Sequence, residues 1–491
     1  MACEDLTAIP ATELAVLCRG GQVSPVETVE AVLARIEATG DPCQAFITVA
    51  ADHARAAARV LAAADNQLPL YGVPVTVKDL TATAGIRTTR GALAGPRAVP
   101  ARSAVAVQRL QQAGAIIVGK TTTCDGGWKA EAGNLLVGPA RNPWNPALTA
   151  GGSSGGAGVA VACGYGPIAT GTDGAGSIRI PASFCGVVGY KPSFGLVPYS
   201  PVSAEGLSHF GPLTRTVADA ALAVDVLAGS DERDPTSWGR TWAQRGGPWL
   251  SAALQHEPGA LRIAMIDSVD DYPVDAEVKE ALGAAAALLA GLGHRVEPIA
   301  WRGGSSGMAT AYRPLSVILG ACAAADLRAR DAGLPVDAGL AAVAAWGATL
   351  SAADVAQAMA ARVAFTEHVR QSMEGYDLAL LPTSAALPFR AGADTPEAAD
   401  TPAATDPERW LAWCCFCYVG NLTGYPAISL PLAVSSGRGR AGAGLPIGIQ
   451  LMGRWRQDAT VLRVARQLEV AAPWAGRLRQ LHERIPPGND G

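Results

Sequence analysis

A glycine- and serine-rich stretch from Gly151 to Pro192 constrains the chain more than any other feature. It reads GGSSGGAGVAVACGYGPIATGTDGAGSIRIPASFCGVVGYKP. A flexible linker would lack the apolar runs that interrupt these glycines, such as VAVA at 159–162 and VV at 187–188. Glycine at this density permits tight turns with positive φ and close backbone contacts. Because backbone N–H groups at such turns can hold an anion, the stretch predicts an active-site floor.

The composition favours a compact globular protein. The 491 residues are 49% hydrophobic and 17% charged. The formal net charge is −4 and no block of basic residues stands out, so we expect no direct nucleic-acid binding. We also expect no secretory signal and no membrane span, because no apolar run has the length or flanks required. The ten cysteines have no regular spacing, which indicates buried thiols and a cytoplasmic protein.

The spacing of apolar residues predicts an α/β fold. Helices are predicted over 25–64, 103–114, 216–229, 277–292 and 458–471, the first with Ser24 as its cap and the last closing the fold. Strands are predicted over 71–80, 115–118, 261–266, 294–299, 376–381, 420–431 and 445–453. The alanine-rich region 305–375 is predicted to be mainly helical. The acidic, proline-containing segment 391–409 predicts a mobile surface loop.

Two local motifs suggest other chemistries. The segment GAIIVGKT at 114–121 fits the phosphate-binding pattern G-x-x-x-x-G-K-[ST], but its apolar centre predicts a buried strand, so nucleotide binding is only a distant alternative. The segment GSSGG at 152–156 fits a nucleophile elbow with Ser154 at its centre. That elbow needs a later acid and then a histidine. None of the six histidines fits this order, although His209 comes nearest, and His482 lies in a polar tail.

A buried lysine can replace histidine as the base that activates a serine. The serine hydroxyl is a weak acid, so a neighbouring base must take its proton during attack. Burial disfavours the ammonium form of lysine and leaves a neutral amine that can accept this proton. Lys78, at the end of the apolar segment YGVPVTVKDL, is the best candidate, and its rivals are Lys120, Lys129 and Lys191.

Taken together, these motifs resemble the amidase signature family of serine hydrolases. The resemblance covers the glycine-rich stretch, GVPVTVKD at 72–79, YDLALLPT at 376–383 and NLTGYPAISLP at 421–431. It implies the amidase-signature fold, a mixed β-sheet core layered with α-helices. It also implies hydrolysis of a carboxylic amide through an acyl-serine intermediate, without a metal or other cofactor. An ester-hydrolysing side activity would follow from the same mechanism.

Carried onto this chain, the resemblance implies a catalytic triad. Ser177 would be the nucleophile, Ser153 the bridging serine and Lys78 the base. The two serines lie 24 residues apart, as the family pattern requires. In the family the peptide bond into the bridging serine, here Gly152–Ser153, is cis.

The resemblance also implies an oxyanion hole made of backbone N–H groups, those of Gly174, Ala175, Gly176 and Ser177. Asp173 and Arg179 flank this turn and would brace it. The family usually has a glycine pair before the nucleophile, whereas this chain has Ala175 followed by Gly176. The alanine still donates its N–H, so we expect activity provided that its φ is negative.

A second departure from the family predicts an open acyl pocket. Relatives often have a proline, an acid and an aromatic residue after GKT, whereas this chain reads TCDGGW at 123–128. Loss of the aromatic ring should leave space beside Gly126, with Trp128 as one wall. Bulky side chains beside Gly126 would contradict this prediction. The candidate pocket residues are Asp125, Gly126, Gly127, Trp128 and Ser154.

We expect one amidase domain over residues 1–480, with a tail at 481–491. It would contain a helical segment at 1–65, a catalytic core at 70–230 and a variable helical substrate region near 300–375. The ligand would be a small-molecule amide, and the protein a monomer or homodimer. Two other functions stay open. One is an amidotransferase component that releases ammonia from glutamine for a partner, and the other is a non-catalytic scaffold of the same fold.

Overall fold

The computed structural model describes residues 5–63, 66–93, 99–270, 272–299, 301, 311–330, 333–396, 406–439 and 441–485. Its described part contains one 11-stranded mixed sheet against which many of the helices pack. By residue ranges, the strand order is 46–49, 116–121, 74–78, 168–173, 209–214, 188–191, 427–436, 443–453, 378–382, 262–265 and 295–298, and the strands 133–134 and 138–139 form a separate two-stranded sheet. The predicted α/β class, a mixed sheet layered with helices, is confirmed.

The strands are β1 (Phe46–Val49), β2 (Pro74–Lys78), β3 (Ile116–Thr121), β4 (Gly133–Asn134), β5 (Gly138–Pro139), β6 (Ile168–Asp173), β7 (Val188–Lys191), β8 (His209–Thr214), β9 (Arg262–Met265), β10 (Arg295–Pro298), β11 (Leu378–Pro382), β12 (Ala427–Ser436) and β13 (Ala443–Gly453). The helices are α1 (Ala11–Arg19), α2 (Pro25–Thr39), α3 (Ala51–Ala62), α4 (Val105–Gln112), α5 (Gly155–Ala162), α6 (Arg179–Cys185), α7 (Val217–Leu227), α8 (Trp242–Arg245), α9 (Leu250–Ala253), α10 (Ala276–Gly291), α11 (Tyr312–Arg328), α12 (Ala338–Gly347), α13 (Ala352–Ser372), α14 (Cys415–Thr423), α15 (Asp458–Ala471) and α16 (Ala475–Arg484).

Two parallel central strands, β2 and β6, position the site. Val75 pairs with Ile168 and Val77 with Thr170, and every residue of both strands is buried. Strands covered on both faces are apolar almost throughout, as β2 is until it reaches Lys78. Because the two strands run in the same direction, their carboxyl ends, at Lys78 and Asp173, meet at one edge of the sheet.

Helix α5 crosses this sheet closely because it begins with glycines. A Cβ atom on Gly156 would lie 2.3 Å from the backbone nitrogen of Thr122, so no larger residue fits there. The helix is buried along its whole length and packs on β6, β2, β3 and β8. The glycine-rich stretch therefore forms buried helix and strand joined by turns, as its apolar runs predict.

Most predicted elements are confirmed, with ends that differ by a few residues. The Ser24 side chain accepts a hydrogen bond from Glu27 N–H and caps α2 as predicted. The phosphate-loop alternative fails, because β3 continues through Gly119, Lys120 and Thr121 as a buried strand. Parts of the predicted 391–409 loop, the 305–375 region and the 481–491 tail lie outside the described residues.

Three element predictions are wrong. The helix predicted over 25–64 is interrupted by β1, which pairs antiparallel with β3, and a four-residue apolar strand leaves too short a pattern to detect. The strand predicted from Gly420 begins at Ala427, because the preceding residues extend α14. Helix α16 follows the helix predicted to be last. It contains His482, whose Nε2 hydrogen-bonds to the Ala162 carbonyl at 2.7 Å.

Among the described residues no single helix is long and apolar enough to cross a bilayer, although α12 and α13, which meet at 99°, together reach the length and composition required.

Candidate active site

Lys78 is fully buried at the carboxyl end of β2. Its Nζ donates to Ser153 Oγ over 2.7 Å and to Thr172 Oγ1 over 3.0 Å. Burial lowers the pKa of this amine to about 7, because desolvation disfavours its ammonium form. A substantial fraction of Lys78 is therefore neutral near pH 7, and a neutral amine can accept a proton.

Ser153 connects Lys78 to the surface of a cavity. The Gly152–Ser153 peptide bond is cis, as the family resemblance implies. Ser153 is 2% exposed and lines the cavity. The neighbouring Ser154 is fully buried, and its Oγ donates to the Thr172 carbonyl over 3.3 Å. Because α5 begins there and turns this hydroxyl inward, Ser154 does not line the cavity, contrary to its prediction as a pocket residue.

Ser177 lies in the turn between β6 and α6 and lines the same cavity as Ser153. Its carbonyl accepts a hydrogen bond from Ser154 N–H over 3.1 Å, which ties the two serine-bearing turns together. In the described chain no hydrogen bond joins the hydroxyls of Ser177 and Ser153. Catalytic hydrogen bonds are often long in ligand-free enzymes and shorten when substrate binds.

The turn before Ser177 presents backbone donors to the cavity. Gly174, Ala175 and Ser177 line it, and none of the described residues accepts a hydrogen bond from their N–H groups. Gly176 differs, because its N–H donates to Asp173 Oδ1 over 2.8 Å. The N–H of Gly176, predicted as one of four oxyanion donors, is thus engaged within the protein. Ala175 does not have a positive φ, so its departure from the family pattern leaves its N–H usable.

A buried ion pair supports this turn. Arg179 Nη2 and Nε donate to the two carboxylate oxygens of Asp173 over 2.8 and 2.9 Å, and both residues are fully buried. Burial alone would raise the pKa of Asp173, but the Arg179 charge outweighs it and holds this pKa well below its usual range. The ionised carboxylate also accepts the N–H groups of Gly176 and Ile178. The predicted brace is therefore present as a bidentate pair.

The cavity has a volume of about 340 Å³. The turn at 174–177 and residues 125–130 form one wall, and the segment 198–205 forms another. Apolar side chains from α11, α12 and the segment before α14 complete it: Leu319, Leu340, Val343, Trp410 and Leu411. The cavity thus combines a polar floor with apolar walls.

An Amidase family model matches residues 27–462. The chain belongs to the amidase family. The acylamidase of Rhodococcus erythropolis is 34% identical over 483 residues, covering 96% of this chain and 98% of that protein. A glutamyl-tRNA(Gln) amidotransferase component from Synechococcus sp. (strain WH7803) is 34% identical, with 92% and 95% covered. The solved structure of 6-aminohexanoate cyclic dimer hydrolase with substrate has a TM-score of 0.86 at 30% identity, with 97% and 99% covered. This amidase hydrolyses carboxylic amides.

The prediction of an open pocket in this amidase is also wrong. The space beside Gly126 is filled by Arg330, since a Cβ atom on Gly126 would lie 3.2 Å from Arg330 Nη2. Arg330 follows α11 and donates to Asp125 Oδ1 over 2.7 Å, so a residue distant in sequence replaces the missing aromatic ring. Trp128 lines the cavity as predicted, and its carbonyl accepts a hydrogen bond from Trp410 Nε1 over 2.9 Å.

The rival bases of the amidase have structural partners. Each rival lysine is buried and contacts other groups: Lys120 pairs with Asp79, Lys129 with Asp394, and Lys191 with the Tyr425 carbonyl. Although burial lowers the pKa of Lys129, the surrounding carboxylates outweigh it and raise this pKa, so Lys129 stays protonated. His209 is buried outside the cavity lining, with Nδ1 2.8 Å from the Leu207 carbonyl.

Most lining residues of the amidase were not named in the sequence analysis, and two of the polar ones, Thr172 and Arg90, lie close to the end of β2. Thr172 accepts a hydrogen bond from Lys78, and it lies within the glycine-rich stretch, one residue before Asp173 at the end of β6. Arg90 lines the cavity from the turn that follows β2. No local pattern indicates that residue, because its position depends on how the turn folds back.

Gly176 is expected to be irreplaceable in this turn, whereas Ala175 is not. Gly176 has a φ of 120°, and a Cβ atom there would lie 2.6 Å from Cys417 Cβ. Gly176→Ala should therefore shift the turn and lower kcat/KM by about 100-fold or more, the usual cost of a lost oxyanion donor. Ala175→Gly should stay within about threefold of wild type. Steady-state kinetics measure both variants, and circular dichroism checks that they fold. Full activity of Gly176→Ala would contradict the prediction.

Proposed function

We propose that this amidase acts through an acyl-enzyme on Ser177, with Ser153 and Lys78 as a proton relay. The observation that carries the proposal is the 2.7 Å hydrogen bond from the buried Lys78 to Ser153, at a cavity that Ser177 also lines. A lysine without burial would be protonated at neutral pH and could not act as a base. The lowered pKa of Lys78, about 7, therefore supports the role.

In the first step Ser177 Oγ attacks the amide carbon. Its proton passes to Ser153 Oγ as the proton of Ser153 passes to neutral Lys78. The amide oxygen becomes an oxyanion and accepts hydrogen bonds from the N–H groups of Gly174, Ala175 and Ser177. When the C–N bond breaks, the relay returns one proton to the leaving nitrogen. The acyl group remains as an ester on Ser177.

In the second step water attacks this ester. The relay takes one proton from the water, and the oxyanion donors again stabilise the tetrahedral intermediate. Collapse of the intermediate breaks the bond to Ser177 Oγ, which regains its proton through Ser153. The carboxylic acid then leaves, and Lys78 is neutral again.

The substrate class that we propose is a small acyl amide. The similarity to the Rhodococcus acylamidase and the apolar cavity walls at Leu319, Leu340 and Val343 support this class. We further propose a cytoplasmic monomer or homodimer with one domain over residues 1–480. The continuous 11-stranded sheet, which contains every described strand except β4 and β5, supports the single domain.

A second candidate is glutamine-dependent ammonia release for a partner protein, which the similarity to the Synechococcus amidotransferase favours. The purified chain would then need a partner for full activity and would release ammonia from glutamine. Two assays on the same preparation distinguish the two candidate functions: ammonia release from glutamine and hydrolysis of an anilide. Anilide turnover without glutaminase activity supports the self-sufficient amidase.

Covalent labelling tests the proposed nucleophile directly. A fluorophosphonate forms a phosphonate ester on an activated serine and releases fluoride. Peptide mapping should find the adduct on Ser177 in the wild type and in Ser154→Ala. Labelling should be absent in Ser177→Ala, which lacks the nucleophile, and strongly reduced in Lys78→Ala, which lacks the base of the relay.

Circular dichroism should show that each variant keeps the fold of the wild type. An adduct on Ser154 would overturn the proposed nucleophile. No adduct in folded wild-type protein would favour a non-catalytic scaffold instead.

A further inference from the structure

Arg90 stands out among the charged residues of the catalytic cavity. Of the three cationic residues that the structure describes in the lining, Lys129 and Arg330 each pair with carboxylates. Arg90 pairs with none of the described carboxylates, and its guanidinium makes no hydrogen bond within the described chain. It therefore presents an unneutralised positive charge to the space that Ser153 and Ser177 also line.

The backbone at Arg90 adopts a conformation that arginine rarely takes. Its φ is 61°, in the left-handed region that favours glycine. Two hydrogen bonds hold it there, from Arg90 N–H to the Asp79 carbonyl over 3.2 Å and from Gly126 N–H to the Arg90 carbonyl over 2.9 Å. Unfavourable backbone conformations of this kind persist where the surrounding structure enforces them, and they cluster at functional sites.

The turn that carries Arg90 is anchored beside the catalytic lysine. Asp79, the residue after Lys78, accepts hydrogen bonds at Oδ2 from the N–H and hydroxyl groups of Thr89 and from Gly91 N–H. Asp79 also pairs with the buried Lys120 at 3.5 Å. The position of the Arg90 side chain is therefore tied to the end of the strand that positions Lys78.

The acids around the cavity do not cancel the Arg90 charge by contact. Asp125 and Asp326 both pair with Arg330. Glu205 lines the cavity, and its Oε1 accepts a hydrogen bond from Ser208 Oγ. A ligand group that enters beside Arg90 consequently meets a guanidinium whose donors are available.

We infer that Arg90 binds an anionic group of the substrate, so that this amidase prefers amides that also carry a carboxylate. The inference rests on the proposed function, because it places the carboxylate and the scissile amide in one molecule. A guanidinium presents a planar pair of N–H donors that matches a carboxylate in a bidentate geometry. Partial burial in the cavity strengthens this contact relative to one in bulk water.

Two matched sets of anilides test the preference. The first set differs at the end of the acyl chain: succinyl, butyryl and 4-aminobutyryl 4-nitroanilide carry a carboxylate, a neutral end and an ammonium. The second set consists of the butyramides of 4-aminobenzoate, aniline and 4-(aminomethyl)aniline, which differ on the amine half. Turnover is measured for each compound, and so is its protection of Ser177 against fluorophosphonate labelling, which needs no turnover.

Three variants complete the test. Arg90→Gln removes the charge and Arg90→Lys keeps it. Arg87→Gln is the matched control, because Arg87 is exposed on the same loop and does not line the cavity. In at least one set, the compound with the carboxylate should have the highest kcat/KM with the wild type or give Ser177 the strongest protection against labelling. Arg90→Gln should weaken that compound about 10- to 100-fold, mainly through KM, as expected for a charge-assisted hydrogen bond.

The neutral compounds should change by less than about twofold in Arg90→Gln, and Arg90→Lys should recover part of the loss. The inference is overturned if the neutral or ammonium compound is preferred in both sets, or if Arg90→Gln leaves the ranking unchanged. Intact labelling of Ser177 would then leave the proposed function standing. Failure to label Ser177 in the wild type would overturn both.

Discussion

Lys78→Ala is expected to lower kcat/KM by about 10⁴-fold. The variant removes the base of the relay, and the loss of a nucleophile or its base in other serine hydrolases has effects of this order. Lys78→Arg should be equally inactive, since a guanidinium keeps its proton at any usable pH. It also retains a positive charge, so it separates loss of the base from loss of charge. Steady-state kinetics with an anilide substrate measure both effects.

The pH profile of the wild type provides an independent check. Only neutral Lys78 can accept a proton, and burial lowers its pKa to about 7. The value of kcat/KM should therefore rise about tenfold per pH unit below pH 7 and level off above it. Lys279→Ala, at an exposed position of α10, should leave profile and rate unchanged. A flat profile between pH 5 and 8 would exclude Lys78 as the base.

The residues of the proposed relay could be singled out from the sequence because they lie in short segments with unusual composition. Glycine-rich turns, an apolar strand that ends in lysine and serines at a characteristic distance are all local features of the sequence. Buried strands such as β2 and β11 are mostly apolar, so their positions were also predictable. The family resemblance then indicated which of these segments come together in space. Local sequence patterns do not contain that information.

The rest of the cavity was not predictable because it depends on long-range packing. Arg330 fills the space beside Gly126 through its pairing with Asp125, 205 residues away in the chain. Arg90 reaches the cavity only because Asp79 and Gly126 fix its turn. Ser154 follows Ser153 directly, yet the start of α5 turns its hydroxyl away from the cavity. Periodicity and composition contain none of these contacts.

Arg179→Met is expected to lower the free energy of unfolding by about 3–5 kcal/mol, the usual cost of removing one partner from a buried ion pair. The variant leaves the Asp173 carboxylate fully buried without its cationic partner. Arg370→Met is the matched control, because Arg370 and Glu367 form an exposed pair on α13. Solvent and salt screen exposed pairs, which therefore contribute little to stability, so this control should unfold almost as the wild type does. Urea denaturation at pH 7 measures the difference.

The pH dependence distinguishes loss of charge pairing from loss of packing at Arg179. In the wild type, Arg179 holds the folded-state pKa of Asp173 below its ordinary value of 3.8. The pair therefore stabilises the fold above about pH 4. Its contribution is lost as the pH falls from about 4 toward the lower pKa that Asp173 has in the folded state. In Arg179→Met the carboxyl protonates more readily, so the difference between variant and wild type should shrink below about pH 4. If the difference in unfolding free energy stayed constant with pH, the lost stability would instead come from the Arg179 contacts with Gln450 and Asn421.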